Sequence, residues 1–512
     1  MKDTNGKQRL ISIGERLITS IYIVMMVMIL VVCVFLNNID YARKTESMYP
    51  EWALLIIGLL MIGIVVLLGK WILDKFFVNN KEKIFFLISI LFLIFQCYCV
   101  WCYYFVTDWD VATIIDAAEA VARKESLEEF YDYFSIYPNN LFLVWLYSVI
   151  IRFFQWINVN YIMGILVFQS VLSWGTGILL YDTIKQILEN KLTACLGWII
   201  YILLIGISPW VSIPYSDSIG LIFPITILWL WIKKEKISRN RCLWYEIGIG
   251  LLTIIGYRIK PQIVIIVIAL GIITLLHAIK DIREVSRFFI GLVIGIFIGS
   301  IATMTCVHTL NIEIDSEKTF GMSHFLMMGM NYSEGPGGNG VWNLEDVDFS
   351  KNFATAEERK VENLHIAKKR IKEMGIPGML HLMHRKVLTD YNDGTFCWGG
   401  EGNFFVELLS DKTSKFAQIL RNIYYNRSWE GRYFRYFYNF ELAIWLSVLF
   451  LGICGMVNNK LETHVIIIEL AIIGLTIFEL LFEARARYLY TYIPLQIILA
   501  VMGIQKIVKR IK

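Results

Sequence analysis

The residues best suited to chemistry are an acidic pair, Asp108-Trp109-Asp110, just past a long apolar run. Residues 84–106 are long enough to cross a bilayer as a helix. The chain then reads TDWDVATIIDAAEAVARKESLEEFYDYF, and apolar residues resume at Leu141. Carboxylates at the water side of a membrane helix suit a general base, or a group that binds a metal ion or a substrate hydroxyl. Asp110 also precedes an apolar helical face at Val111, Ile114, Ile115 and Ala118, so helix capping is its competing role. Asp108 has no such local duty and is the preferred base.

Four further groups could bind a substrate. Tyr137-Pro138-Asn139-Asn140 stands at the start of the next apolar run. Its proline is ordinary helix punctuation, while Tyr137, Asn139 and Asn140 could hold sugar hydroxyls. Asp217, after Ser208-Pro209-Trp210, either caps a helix or is a carboxylate too deep to stay unpaired. Arg258 and Lys260, in Tyr257-Arg258-Ile259-Lys260-Pro261-Gln262, break apolar sequence on the side where the positive-inside rule puts few cations. Arg485 and Arg487, in Glu483-Ala484-Arg485-Ala486-Arg487-Tyr488, do the same. Snorkelling and pairing with Glu483 would explain them locally; an anionic lipid phosphate would explain them functionally. His324 and the segment Asp393-Gly394-Thr395-Phe396-Cys397-Trp398 are the distinctive pieces of the longest polar stretch. Trp342, Trp398 and Trp429 could stack on sugars or pack at a bilayer interface. No HExxH, Walker A or GxSxG motif occurs in context, so neither a nucleotide-binding nor a serine-hydrolase domain is indicated.

The elements that must position these residues are membrane helices. Of 512 residues, 57% are hydrophobic and 18% charged, with mean hydropathy +0.57. A soluble domain of this length cannot bury so much apolar surface, so the class is an all-α polytopic membrane protein. The basic N-terminus before run 17–36 lacks a small-residue cleavage site, which predicts a signal anchor. Thirteen apolar runs are visible: 17–36, 52–73, 84–106, 141–157, 161–182, 191–207, 217–232, 243–257, 262–279, 287–308, 440–457, 463–482 and 486–504. They predict about 12–13 transmembrane or re-entrant helices with one large extracytoplasmic loop domain. Basic clusters around Lys2–Arg16, Lys70–Lys83, Lys233–Arg241, Lys280–Arg287 and Lys506–Lys512 orient them. Segment 107–140, with eight Asp and Glu, and segment 309–439 both come out external, yet seven runs lie between them. An odd number cannot return the chain to one side, so 141–157 or 191–207 fails to span. Within 309–439 a Gly-rich stretch, Gly335-Pro336-Gly337-Gly338-Asn339-Gly340, precedes a predicted helix at 354–373. Gly375, Pro377 and Gly378 stop that helix, and a second runs about 378–390. The expected divisions are a two-helix addition (1–80), a core (81–308), the loop domain (309–439) and C-terminal helices (440–512). The nine Cys support neither a disulfide framework nor a thiolate metal site, and the basic residues sit at helix ends rather than in a nucleic-acid patch.

Together these residues resemble the integral-membrane glycosyltransferases of the C superfamily, which include protein O-mannosyltransferases. The resemblance covers roughly residues 80–504. It rests on the order of an acidic first external loop (Asp108, Asp110), amphipathic segments at 111–134, Tyr137 to Asn140, the Lys260-Pro261 break and the late Arg485 and Arg487. It implies a polyprenyl-phosphate sugar as donor, an inverting transfer at the outer face of a bacterial plasma membrane, and a glycan, lipid or protein acceptor. By that likeness Asp108 or Asp110 deprotonates the acceptor, while Lys260, Arg258, Arg485 or Arg487 steadies the leaving phosphate, with a divalent cation as an optional cofactor. The competing classes are a lipid-linked-glycan polymerase or ligase and a flippase or transporter. A transporter would favour ionisable residues at mid-helix.

Overall fold

The computed structural model describes residues 2–39, 41, 47–76, 81–278, 281–332, 339–401, 405–408, 414–425, 433–457 and 462–511. Trp429, Gly335 to Gly338, Lys280 and Lys512 lie outside the described residues. The first three helices are long and apolar: α1 (Lys2–Phe35), α2 (Glu51–Phe76) and α3 (Lys81–Tyr103). Strand β1 (Phe105–Thr107) leads into α4 (Trp109–Arg123), α5 (Tyr131–Ile136) and α6 (Leu141–Trp156). Then come α7 (Tyr161–Leu188), α8 (Lys191–Tyr201), α9 (Ser216–Gly220), α10 (Ile222–Glu235), α11 (Arg239–Ile259), α12 (Val264–His277) and α13 (Ile282–His308). Helices α14 (Met322–Gly329), α15 (Leu344–Lys351), α16 (Ala356–Tyr391) and α17 (Trp398–Glu401) follow. The last elements are β2 (Phe405–Leu408), α18 (Lys415–Tyr424), α19 (Phe434–Met456), α20 (Thr463–Leu481) and α21 (Ile493–Ile511).

Among the described residues ten helices are long and apolar enough to cross a membrane, fewer than the thirteen runs suggested. The remaining runs form α6, α8 and α12, which are shorter. Side-chain pairs show which ends belong together. Glu82 at the start of α3 pairs with Lys185 at 2.8 Å and Lys191 at 2.9 Å, so α7 ends and α8 begins at the same end of the bundle. Tyr161, the first residue of α7, lies beside Glu119 and Arg123 of α4, which follows the far end of α3. Helix α7 therefore makes the whole traverse, and α6 begins and ends at one end without crossing. Its axis turns by 110° from α5 at Tyr137-Pro138. Of the two candidate runs, 141–157 is thus the one bent at its start, as a broken span or re-entrant segment is. The run 191–207 does start across but stops inside, where a π turn at Ile202–Gly206 ends it and Gln96 donates to the Gly206 carbonyl at 2.7 Å.

Other pairs gather at the Lys-rich end: Lys233 with Asp182 (3.3 Å), His277 with Glu15 (3.1 Å), and Lys234 and Arg287 on the buried Glu246. Glycines let the helices close on one another. A Cβ on Gly503 would stand 2.0 Å from the Leu451 carbonyl, and one on Gly295 2.1 Å from that of Ile247. Backbone approach of this kind supplies van der Waals contact where no hydrophobic drive exists between lipid-soluble helices.

The described part of 309–433 is not a separate body beside the bundle. As the glycines predicted, α16 kinks at Gly375 (φ +58°), and its second half packs on α1, α20 and the 3-10 turn Ala486–Tyr492. Trp445, well down α19, donates to the Tyr391 carbonyl at 2.9 Å, and its ring meets Phe396 at 5.2 Å. The chain thus dips into the bundle, turns at Asp393–Cys397 and returns to the β1–β2 pair. Phe396 and Cys397 have positive φ (52° and 69°), and the Asp393 carboxylate holds them by accepting from the N–H groups of Thr395 (2.8 Å) and Cys397 (2.9 Å). Trp210 clamps the same turn, its indole N–H shared between the Thr395 and Phe396 carbonyls at 3.0 Å each. Irregular backbone at this depth is tolerated because protein surrounds it.

Candidate functional site

Four breaks in helical structure meet near one point: the start of α4, the turn before α9, the Lys260-Pro261 break and the turn Ala486–Tyr492. Each break has a local cause. Trp109 has positive φ (+53°) at the start of α4, Pro209 and Pro261 open short 3-10 turns, and Arg485 is extended (φ −156°) before another.

The two acidic residues exchange the roles expected from sequence. Asp108 is exposed and is the cap, its Oδ1 accepting from the Trp109 N–H at 2.8 Å. Asp110 turns inward. The Tyr215 hydroxyl donates to its Oδ2 at 3.0 Å, and Tyr133 lies against it from the other side. The Asn140 amide donates to the Tyr133 hydroxyl at 2.8 Å, and Asn139 donates to Asn140 at 3.1 Å. Tyr137 packs on Tyr133 (ring centroids 5.4 Å) and faces Asp110. The inversion comes from Trp109, whose φ of +53° rotates the first turn so that Asp110 faces in. A bulky residue there is strained by about 1–3 kcal/mol. Its ring is held 4.9 Å from the Arg487 guanidinium and edge-on to Tyr215 at 5.2 Å.

Opposite lies a charge cluster. Asp217 is 1% exposed and forms a tight ion pair with Lys260, itself 3% exposed. Arg487 Nη1 is 3.8 Å from the other Asp217 oxygen. Two cations thus share one carboxylate in a dry setting, and Glu479 also acts on Lys260. Aromatic faces cover both: Lys260 lies 4.6 Å from the Tyr488 ring, and Arg487 5.3 Å from Tyr215. Tyr215 and Trp109 bridge the cluster to Asp110.

The other candidates fall outside this core. Arg485 pairs with Glu483 at 3.4 Å, and Glu483 also accepts from the Tyr488 hydroxyl at 3.2 Å, so Arg485 braces the rim. Among the described residues Arg258, in the last turn of α11, forms no ion pair. His324 is buried in α14, with Nδ1 2.7 Å from Ser350 Oγ and its ring on Phe320 at 4.1 Å. Burial, with help from Arg359, holds it down to about 4, so it is a neutral pin between α14 and α15. Trp342 is half exposed and Trp398 is buried, donating to the Tyr424 carbonyl at 2.7 Å. Tyr133 was not singled out from sequence, and no spacing rule links it to Asp110. Three other buried carboxylates, Asp390, Glu441 and Glu479, have no hydrogen-bond partner at either oxygen among the described residues. No group of three or more His, Cys, Asp or Glu among the described residues could hold a metal ion. Asp217 is already engaged by cations, so the divalent cation has no fitting ligand set here.

Fold and site together define a polytopic all-helical integral membrane protein with a buried charge cluster beside a carboxylate. Residues 10–508 match the family described as conserved hypothetical integral membrane protein, and the chain belongs to it. No curated protein matches the chain.

Proposed function

We propose that the protein is an inverting glycosyltransferase moving a sugar from a polyprenyl-phosphate donor to an acceptor hydroxyl at the outer face of the membrane. The observation that carries this is Asp110 and the Lys260–Arg487 pair facing each other across Tyr215 and Trp109. Asp110 accepts the proton of the acceptor hydroxyl as that oxygen bonds to the anomeric carbon. The bond from that carbon to the phosphate oxygen breaks, and the phosphate keeps the electron pair. Its new charge develops beside the Arg487 and Lys260 cations, which stabilise it. Tyr133 and Tyr215 orient the base, and Asn139 and Asn140 extend the same polar chain toward the acceptor side. The positive-inside rule puts the Lys-rich end in the cytoplasm, so the site opens outward, and 309–433 is the external segment that folds back over it. The acceptor is an envelope glycan, a lipid or a protein.

Transfer assays with a panel of polyprenyl-phosphate sugars test this. Asp110→Asn should lower the rate roughly 10²–10⁴-fold, the usual loss for a general base. Asp108→Asn should change it little, since Asn caps nearly as well. Equal activity in both variants removes Asp110 from the mechanism.

A second reading, a proton-coupled flippase or transporter, is favoured by Glu441 and Glu479, ionisable residues inside α19 and α20 with unpartnered oxygens. Lipid-phosphate flux in vesicles without sugar transfer, lost in Glu479→Gln, would select it.

A further inference from the structure

Asp390, near the end of α16, and Glu479, near the end of α20, are each 1% exposed. Neither carboxylate has a hydrogen-bond partner at either oxygen among the described residues. The two act on each other, and Lys386 lies with them, one turn before Asp390 on α16. An ammonium has three protons to donate. Lys386 directs its own to the carbonyls of Gly329 (3.2 Å), Leu480 (2.9 Å) and Phe482. It therefore balances charge without donating to either acid. Glu479 also acts on Lys260 of the charge cluster, whose ammonium is held by Asp217. Glu479 thus stands electrostatically between Lys386 and Lys260 and is bonded to neither.

The groups linked in this way are in charge balance. The acids are Asp217, Asp390, Glu479 and Glu483, and the cations are Lys260, Lys386, Arg485 and Arg487. An anion settling on Lys260 and Arg487 brings a charge that nothing in this buried set offsets, and an uncompensated buried charge is costly. A proton offsets it, and carboxylate oxygens without a donor are where a proton can bind in a dry setting. Tyr391, bonded to Thr476 at 2.6 Å, also faces both acids, and Glu483 and the Arg485 backbone face Asp390 from the turn after α20. Other helices packed on α20 carry their titratable groups elsewhere. Tyr22 of α1 acts on Tyr391 and Glu469, His277 of α12 bonds Glu15, His324 of α14 bonds Ser350, and Lys506 of α21 bonds the Val457 carbonyl. We infer that Asp390 and Glu479 form a proton site coupled to the anion site on Lys260 and Arg487. A proton from solvent bonds to one of their carboxylate oxygens as the anion arrives, and returns to solvent when the anion departs. In the transfer reaction the donor's phosphate diester leaves as a monoester able to carry a second negative charge, and the bound proton offsets that increment. In the flippase reading the same pair ties movement of the lipid phosphate to a proton. The inference rests on the phosphate site that both readings share.

The test titrates radiolabelled sulfate onto the purified full-length protein in detergent at constant ionic strength. Sulfate stands in for phosphate, and its own charge does not change near neutral pH. Affinity should fall from about pH 6 to about pH 8, by about tenfold per pH unit at the steepest, the limit for one linked proton. The sign follows because the anion-bound form holds the extra proton, so a higher pH favours the free form. Glu479→Gln and Asp390→Asn should each flatten the profile, since the acid that remains still balances Lys386 and no longer shares a proton. Glu441→Gln removes a different buried carboxylate with unpartnered oxygens, one that acts with Asp393, and should keep the wild-type slope. A slope kept in both pair variants, or lost equally in Glu441→Gln, overturns the inference. Calorimetry on the wild type needs no variant to fold. The heat of sulfate binding should differ between buffers of unlike ionisation heat, and equal heats overturn the coupling. Sulfate that binds with a flat pH profile removes the proton site and leaves the phosphate site standing. Absence of binding at every pH removes both.

Discussion

Replacing Asp217 with Asn should damage stability in a way that a second mutation repairs. Asp217 is 1% exposed and is the shared counter-ion of Lys260 and Arg487. Asn keeps the shape and removes the charge, so the two buried cations lose the carboxylate they share. At an effective dielectric near 20, two unit charges about 4 Å apart interact by roughly 4 kcal/mol. Breaking a buried pair from one side typically costs about 3–5 kcal/mol. Asp217→Asn should therefore lose that much. Lys260→Met alone leaves Asp217 still paired with Arg487 and should cost less. Lys260→Met added to Asp217→Asn removes the surplus cation and should recover most of the loss. The coupling should be about 2–3 kcal/mol, well beyond the roughly 0.3–0.5 kcal/mol scatter of independent sites. Unfolding of the purified single and double variants in detergent, by heat or denaturant, measures it. Additive losses would mean that the three residues do not share one charge balance, and the phosphate site would lose its electrostatic basis.

Three more outcomes follow from particular contacts. Gly503→Val should abolish stable protein, because a Cβ there meets the Leu451 carbonyl at 2.0 Å, whereas Gly63→Val, with nothing within 4 Å, should accumulate normally on fluorescence-detected size exclusion. His324 is held at about 4, below its unfolded value near 6.5, so its contribution is full above pH 6.5 and lost as pH falls toward 4. That loss is worth about 3 kcal/mol at most, and His324→Gln should flatten thermal stability across the same window; an unchanged slope refutes the neutral pin. Trp210→Phe removes the N–H shared by the Thr395 and Phe396 carbonyls and should cost about 1–3 kcal/mol, read as faster proteolysis near the Asp393–Cys397 turn; wild-type resistance would show that the turn stands without it.

Hydropathy made the spans legible because crossing a bilayer is a local demand on about twenty residues. The odd count of runs even narrowed the exception to two segments, and both depart from a plain span: 141–157 is bent by 110° from α5, and 191–207 forms a shorter helix ended by a π turn. The second half of α16 was legible as a helix but not as part of the bundle. His381, His384, Arg385 and Lys386 make it look water-soluble, yet Lys386 is buried, bonding the backbone carbonyls of Gly329, Leu480 and Phe482 with the Asp390 and Glu479 carboxylates acting on it. Most residues of the site were visible as cations or carboxylates in unexpected places. Which of Asp108 and Asp110 faces inward was not, because it turns on a positive φ at Trp109 that the type of residue argues against.

The inward-dipping turn at Asp393–Cys397 has a consequence for how the protein is made. It packs against Trp445 and Tyr490, on helices synthesised after it. When the ribosome has just produced residue 401, Trp210 is in place but the walls that carry Trp445 and Tyr490 do not yet exist. A stretch with positive φ at two successive residues and buried polar groups is not stable in bare lipid. It must therefore wait at the membrane surface until α19, α20 and α21 have been inserted, and then be drawn in as the final act of assembly. Completion of the C-terminus is thus the checkpoint for the whole molecule. A chain that stops before Phe434 should present an undocked apolar hairpin to the quality-control machinery rather than a partly working protein.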